Sequence, residues 1–144
     1  MIKISTRGRY ALRAMVDLAL RADKGPVLRQ DIAKRQEISA DYVAQLFRHL
    51  RAAGLVEGVK GPGGGYRLTR EAATISAGDV VRAVEGPVAV TNCVAPTSEP
   101  TCNRADHCVT HLLWKQLSEA ITKVLDSVTL QDLSEEARQI QKER

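Results

Sequence analysis

Between residues 10 and 22, apolar side chains fall at Leu12, Met15, Val16 and Ala19, one side of a helix that predicts a face turned to a core. Pro26 breaks that helix. Residues 29–37 predict a short second helix with Ile32 and Ala33 inward, and Ser39 stands as N-cap of a third over 40–53. In the third helix Val43, Leu46, Phe47 and Leu50 form the inner stripe, which leaves Asp41, Tyr42, Gln45, Arg48 and His49 outside; Gly54 closes it. Residues 55–60 and 66–69 then read as two strands joined by Gly61, Pro62, Gly63, Gly64 and Gly65, a hairpin directly after the third helix.

Ser76 with Asp79 has the spacing of a capping box, opening a short helix through Val80, Val81 and Val84 that ends at Gly86. Pro96 and Pro100 among Thr and Ser predict a loop over 87–105. Helical spacing returns at Leu113, Leu117, Ile121, Val124, Leu125 and Val128, a long helix over 109–128, and Thr129 with Asp132 starts a last charged helix over 130–142. The pattern predicts a mainly α fold with a small β-hairpin: a winged helix-turn-helix head and a long dimerisation helix. Its parts are a head over 1–86, a loop over 87–108, and the paired and terminal helices over 109–144.

Charge sharpens this reading. The chain of 144 residues carries a net +4, but residues 1–70 hold 14 Lys and Arg against 6 Asp and Glu, while residues 71–144 hold 7 against 11. A basic front half joined to an acidic back half fits a nucleic-acid reader with a separate sensing part, although a basic face can also be merely solvated. On the outer face of the third helix, Gln45 beside Tyr42 suits bidentate bonding to adenine in the major groove, with Ser39 and Asp41 at the helix start and Arg29 and Arg48 placed for phosphates. Lys60 and Arg67 flank the wing tip, whose Gly61, Pro62, Gly63 and Gly64 let backbone approach DNA closely. The glycine run is not a nucleotide loop, because no Gly-Lys-Ser/Thr follows and it leads into a strand. The N-terminus has no signal-type apolar region and no stretch approaches the roughly 18 apolar residues of a membrane span, so the expected location is cytoplasmic.

The three cysteines, Cys93, Cys102 and Cys108, fall within 16 residues, and His111 follows three positions on at the start of a helix. Residues at that interval share a helix side, so Cys108 and His111 can grip one centre. Thiolate and imidazole donors suit an iron-sulfur cluster or zinc; structural zinc usually takes Cys-x2–4-Cys knuckles, which the chain lacks. Free thiols with a surface histidine are the unliganded alternative. Asp106 and His107 compete as donors but lack the matching offset.

The stretch Ile4-Ser5-Thr6-Arg7-Gly8-Arg9-Tyr10-Ala11, the third helix, the wing 59–66 and the segment Cys108-Val109-Thr110-His111-Leu112-Leu113-Trp114 resemble the IscR-type winged-helix regulators of bacterial iron-sulfur metabolism, over nearly the whole chain. The resemblance implies a homodimer on a pseudo-palindromic duplex operator, repressing iron-sulfur assembly or related genes, with a 2Fe-2S cluster on Cys93, Cys102, Cys108 and His111. Nitric-oxide-sensing relatives can hold a 4Fe-4S cluster with an N-terminal aspartate; here that stretch supplies Gly8 and Arg9, which favours His111. Two departures stand out. Eight residues separate Cys93 from Cys102, longer than expected, and Ala44 replaces a glutamate of the recognition helix.

The alternatives are a nitric-oxide or redox sensor of the same fold, an iron-sulfur electron carrier, and an enzyme. A carrier needs no wing, and an enzyme needs convergent acid-base groups that three histidines and no nucleophile motif do not supply. A histidine among thiolates makes occupancy labile, because imidazole is released more readily as acidity or oxidation rises.

Overall fold

The computed structural model describes residues 2–96, 103–104 and 107–143. Among these, six helices and one hairpin follow in the order α1 (Thr6–Leu20), α2 (Arg29–Gln36), α3 (Ala40–Ala52), β1 (Val56–Val59), β2 (Gly65–Leu68), α4 (Ala77–Glu85), α5 (Val109–Ser127) and α6 (Leu130–Lys142).

Both ends of α1 differ from the pattern by more than one residue. Helix α1 begins at Thr6 rather than residue 10, because the Ser5 hydroxyl accepts from the Gly8 N–H at 3.1 Å and caps the polar turn ahead of the apolar stripe. It ends at Leu20, where a 3-10 turn over Ala22–Lys24 leads to Gly25. The other start signals act as expected: Ser39 caps α3 through the Tyr42 N–H at 3.0 Å, and the Ser76–Asp79 and Thr129–Asp132 pairs form reciprocal capping boxes on α4 and α6. Between α2 and α3 the chain turns tightly at Glu37, whose φ of 57° is left-handed.

The core lies where α1, α2, α3, α4 and α6 meet. Met15, Leu18, Ile32, Val43, Leu46, Phe47, Leu50, Ile75, Val80 and Leu130 are buried there. Helices α2 and α3 are thus anchored by their inner stripes, and α3's polar side stays outside. The wing strands pair antiparallel, Glu57 opposite Arg67 and Gly58 opposite Tyr66. Val27 and Tyr66 exchange both backbone bonds at 2.8 Å, and the Tyr66 ring meets Phe47 edge-on at 4.3 Å, so the wing is bound to the head.

Helix α6 returns to the head and packs along α1, with the Leu130 N–H donating to the Ile75 carbonyl at 2.9 Å. Helix α5 is different. Its apolar stripe divides, because Ile121 and Leu125 are half-buried beside α4 while Val109, Leu112, Leu113 and Val124 are exposed. Arg82 on α4 holds the far end of α5 through Asp126 at 2.7 Å.

Candidate nucleic-acid interface and metal site

Helix α3 presents Asp41, Gln45 and Arg48 exposed, with Tyr42 half-buried beside them. Tyr42 is fixed by the edge of Tyr10 on α1, 5.9 Å between ring centres, and Arg13 stacks over Tyr10 at 4.9 Å while bonding Gln36 at the end of α2. A ring clamped on one side and a glutamine free on the other suit a surface whose shape must be preset before DNA arrives. Ser39 is exposed, but its oxygen already accepts the cap bond from Tyr42. Arg29 is exposed at the first position of α2.

The order of the helix-turn-helix rests on a buried carboxylate. Asp17 on α1 is 2% exposed and accepts two bonds from Arg35 at 2.8 and 2.9 Å and one from Gln36 at 2.9 Å, locking α2 against α1. The bond from Asp17 raises the Arg35 guanidinium still further, against burial. Sequence reasoning missed this pair; the available signal was an acid beside Leu18, on the side of α1 that also carries Ala14.

The wing departs from its sequence reading in two ways. Gly64 is buried rather than presented: a Cβ there would lie 2.2 Å from the Val59 carbonyl oxygen, and one on Gly65 would lie 2.2 Å from that of Val27. These two glycines serve the hairpin's own close approaches, while Gly61 and Gly63 face open space with Pro62 exposed between them. Arg67 is not a free charge either, because it pairs across the strands with Glu57. Lys60, by contrast, is exposed and makes no ion pair among the described residues.

On the sensing side, Cys108 is the N-cap residue of α5. Its thiol is held below the usual range by a hydrogen bond with the Thr110 hydroxyl at 3.1 Å, then by the backbone N–H groups of His111 and Thr110, with Arg104 adding to them. One turn into α5, His111 Nδ1 is buried and has no hydrogen-bond partner among the described residues. Cys93 sits in the 3-10 turn Asn92–Val94, its thiol 3.1 Å from the Thr91 hydroxyl, and that turn packs on α5. The bond from the Val90 N–H to Ser118 Oγ at 3.0 Å ties the segment ahead of it to the middle of the helix. Cys102 and Asp106 lie outside the described residues; His107 is exposed. No three His, Cys, Asp or Glu side chains converge as a metal site among the described residues. The donors that are described nonetheless fit a soft metal centre: a thiol biased toward thiolate and a ring nitrogen left unpaired one turn further on.

A helix-turn-helix with its polar face outward, a wing tied to it and a thiol-bearing segment beyond define a winged-helix DNA-binding transcriptional regulator. The comparisons agree. Residues 4–136 match the model of the Rrf2 family, described as iron-dependent transcriptional regulators, and the chain belongs to that family. It is 48% identical over 132 residues to the HTH-type transcriptional regulator IscR of Vibrio vulnificus, covering 92% of this chain and 77% of that protein, and 45% identical to IscR of Klebsiella pneumoniae, covering 92% and 79%. Among solved structures it resembles T. potens IscR (39% identity, 96% of this chain and 90% of that one, TM-score 0.79). A second is CymR, the global cysteine regulator of B. subtilis (38%, 94% and 98%, TM-score 0.76). The chain is therefore an IscR-like transcriptional regulator of the iron-dependent Rrf2 family rather than an enzyme.

Proposed function

We propose that the protein is a cytoplasmic homodimer whose grip on a pseudo-palindromic operator answers to a 2Fe-2S cluster held by Cys93, Cys102, Cys108 and His111, repressing genes of cluster assembly or related functions. The observation that carries this reading is the orphaned, buried His111 Nδ1 one turn from a Cys108 thiol biased toward its anion. When bound, the cluster supplies a one-electron, oxidant-sensitive centre whose occupancy reports iron supply. The chain's own residues do the rest. Cys108 and His111 fix the start of α5; Cys93 draws its turn onto the same helix; α5 is tied to α4 through Asp126 and Arg82. Occupancy of the donor set on 93–108 and His111 can thus bias the seat of the head on α5, by as much as the two states differ in affinity for the bound group.

On DNA, α3 enters the major groove with Tyr42 and Gln45 toward base edges and Ser39 and Asp41 at its start. Arg29 and Arg48 meet phosphates, and Lys60 leads the tip formed by Gly61, Pro62 and Gly63 to the flanking minor groove. Gly64 shapes that tip from inside, and Arg67 holds it by its pair with Glu57. Among the described residues no helix is long and apolar enough to cross a membrane.

Anaerobic purification with an absorbance spectrum, followed by a shift assay on the protein's own upstream region, tests the reading. The wild type should be coloured. Ala at Cys93, Cys102 or Cys108 should bleach it, His111→Cys should keep a cluster at lower potential, and His107→Ala should change neither. A His111→Ala protein with full colour and potential beside a bleached His107→Ala protein moves the fourth ligand to His107. A 4Fe-4S spectrum retained without His111 favours the nitric-oxide-sensing alternative.

A further inference from the structure

The first turn of α1 lies against the outer face of α3. Arg7 lines a cleft of about 240 Å3 with Tyr42, Gln45, Leu46, Arg48 and His49, so two guanidinium groups and an imidazole from separate helices share one space. No carboxylate lines it. Arg48 and His49 are exposed and make no side-chain hydrogen bond or ion pair among the described residues, and Arg7 spends one N–H on the Val84 carbonyl at 3.0 Å, leaving its other donors free. Like charges gathered in one space repel, and the Glu85 carboxylate lines the adjoining cleft with Arg7 rather than this one.

We infer that this cleft is a seat for DNA backbone phosphate, with Arg7 reaching it from α1 and Arg48 and His49 from α3. The inference rests on the reading of α3 as the groove-entering helix and adds a contact outside the helix-turn-helix and wing. A helix in a major groove about 12 Å wide runs between two phosphate rows, and a guanidinium carried by a neighbouring helix along its flank meets those rows rather than base edges. The Val84 bond sets the arm's direction, since a carbonyl at the end of α4 holds one corner of the guanidinium and presents the rest. Arg7 thereby also joins the DNA face to the helix from which the sensing loop departs.

The test is the salt dependence of binding by fluorescence anisotropy, on a duplex from the protein's own upstream region and on a random duplex of equal length. Arg7→Gln keeps a donor for Val84 and removes the charge. It should weaken both duplexes by the same factor and lower the slope of log K against log salt by about 1, and Arg7→Lys should restore the slope. A structural role alone would lower the melting temperature and leave the slope at the wild-type value. If wild type binds, Gln45→Ala loses sequence preference, and Arg7→Gln keeps the wild-type slope, the phosphate seat is overturned while the reading of α3 stands. If Gln45→Ala keeps wild-type affinity for both duplexes, the reading of α3 fails and the seat falls with it, because its phosphates would not lie there.

Discussion

Asp17 carries a charge into the core at 2% exposure, and its neighbours decide whether that is tolerable. Arg35 and Gln36 supply three bonds, and Arg21 stands 3.7 Å away, so the carboxylate is satisfied and the turn between α1 and α2 gains a directional lock that apolar packing does not give. Removing either partner is not equivalent. Arg35 is about one-third exposed and rehydrates when Asp17 is replaced, whereas Asp17 loses its main partner when Arg35 is replaced. Arg35→Ala should therefore cost about 2–4 kcal/mol in urea unfolding, and Asp17→Asn about 1–2 kcal/mol. An Arg35→Ala protein within about 0.5 kcal/mol of wild type would mean that the pair is a surface contact only. Nothing in hydrophobic spacing announces such a pair, because it joins positions 18 residues apart whose facing depends on how the helices cross.

At the scale of elements, start signals were the most legible feature, because a cap is a local bond between residues three apart. Both capping boxes and the Ser39 cap follow from side chains whose partners sit on the same turn. The start of α1 was misread for a related reason: its first turn is polar and contains Gly8, a poor helix former, so the stripe marks only where burial begins. The α4 box also yields a pH dependence. Burial pushes the Asp79 carboxyl up, but the Ser76 N–H and hydroxyl, Arg82 and Arg70 outweigh it and hold it below the usual carboxylate range. A depressed folded-state value means that its stabilisation is complete above the ordinary range near pH 4 and is lost as pH falls through the folded value. Asp79→Asn should cost about 1 kcal/mol at pH 7, with the gap from wild type closing toward pH 3, measured by urea unfolding at the two pH values. A gap that is unchanged at low pH would assign the effect to packing of the side chain rather than to its charge.

For the whole molecule, the telling surface is the free side of α5. Val109, Leu112, Leu113 and Val124 are 51–76% exposed on one helix, an apolar surface of the kind that marks an interface, whereas Ile121 and Leu125 already serve the head. Pairing of α5 with its copy would cover it and present two α3 helices to two half-sites. Leu113→Glu with Val124→Glu should shift the protein to monomer in sedimentation equilibrium, with little change in melting of the head because neither residue touches the core. Operator affinity should fall at least tenfold as two-site attachment is lost. A variant that still sediments as a dimer would place the interface elsewhere, and a monomeric wild type would remove the two-fold reading altogether.

Sequence alone determined the elements, the inner stripes of α1, α2 and α3, the wing and the membership of a DNA-reading class, since each depends on spacing within one helix or hairpin. The presence of three thiols and an imidazole close together in the chain is likewise a matter of residue type and spacing. Only the tertiary structure decided which charges are free. Arg67 is neutralised by Glu57 across the wing, Arg35 is drawn to Asp17, and Arg7, from a turn read as preceding the first helix, comes to lie beside Gln45. It also decided that α6 returns to α1 and that the α5 stripe serves two directions. The reason is one of range: periodicity records that a side is apolar, but the partner of that side, or of a charge, is set by the crossing of elements far apart in the chain.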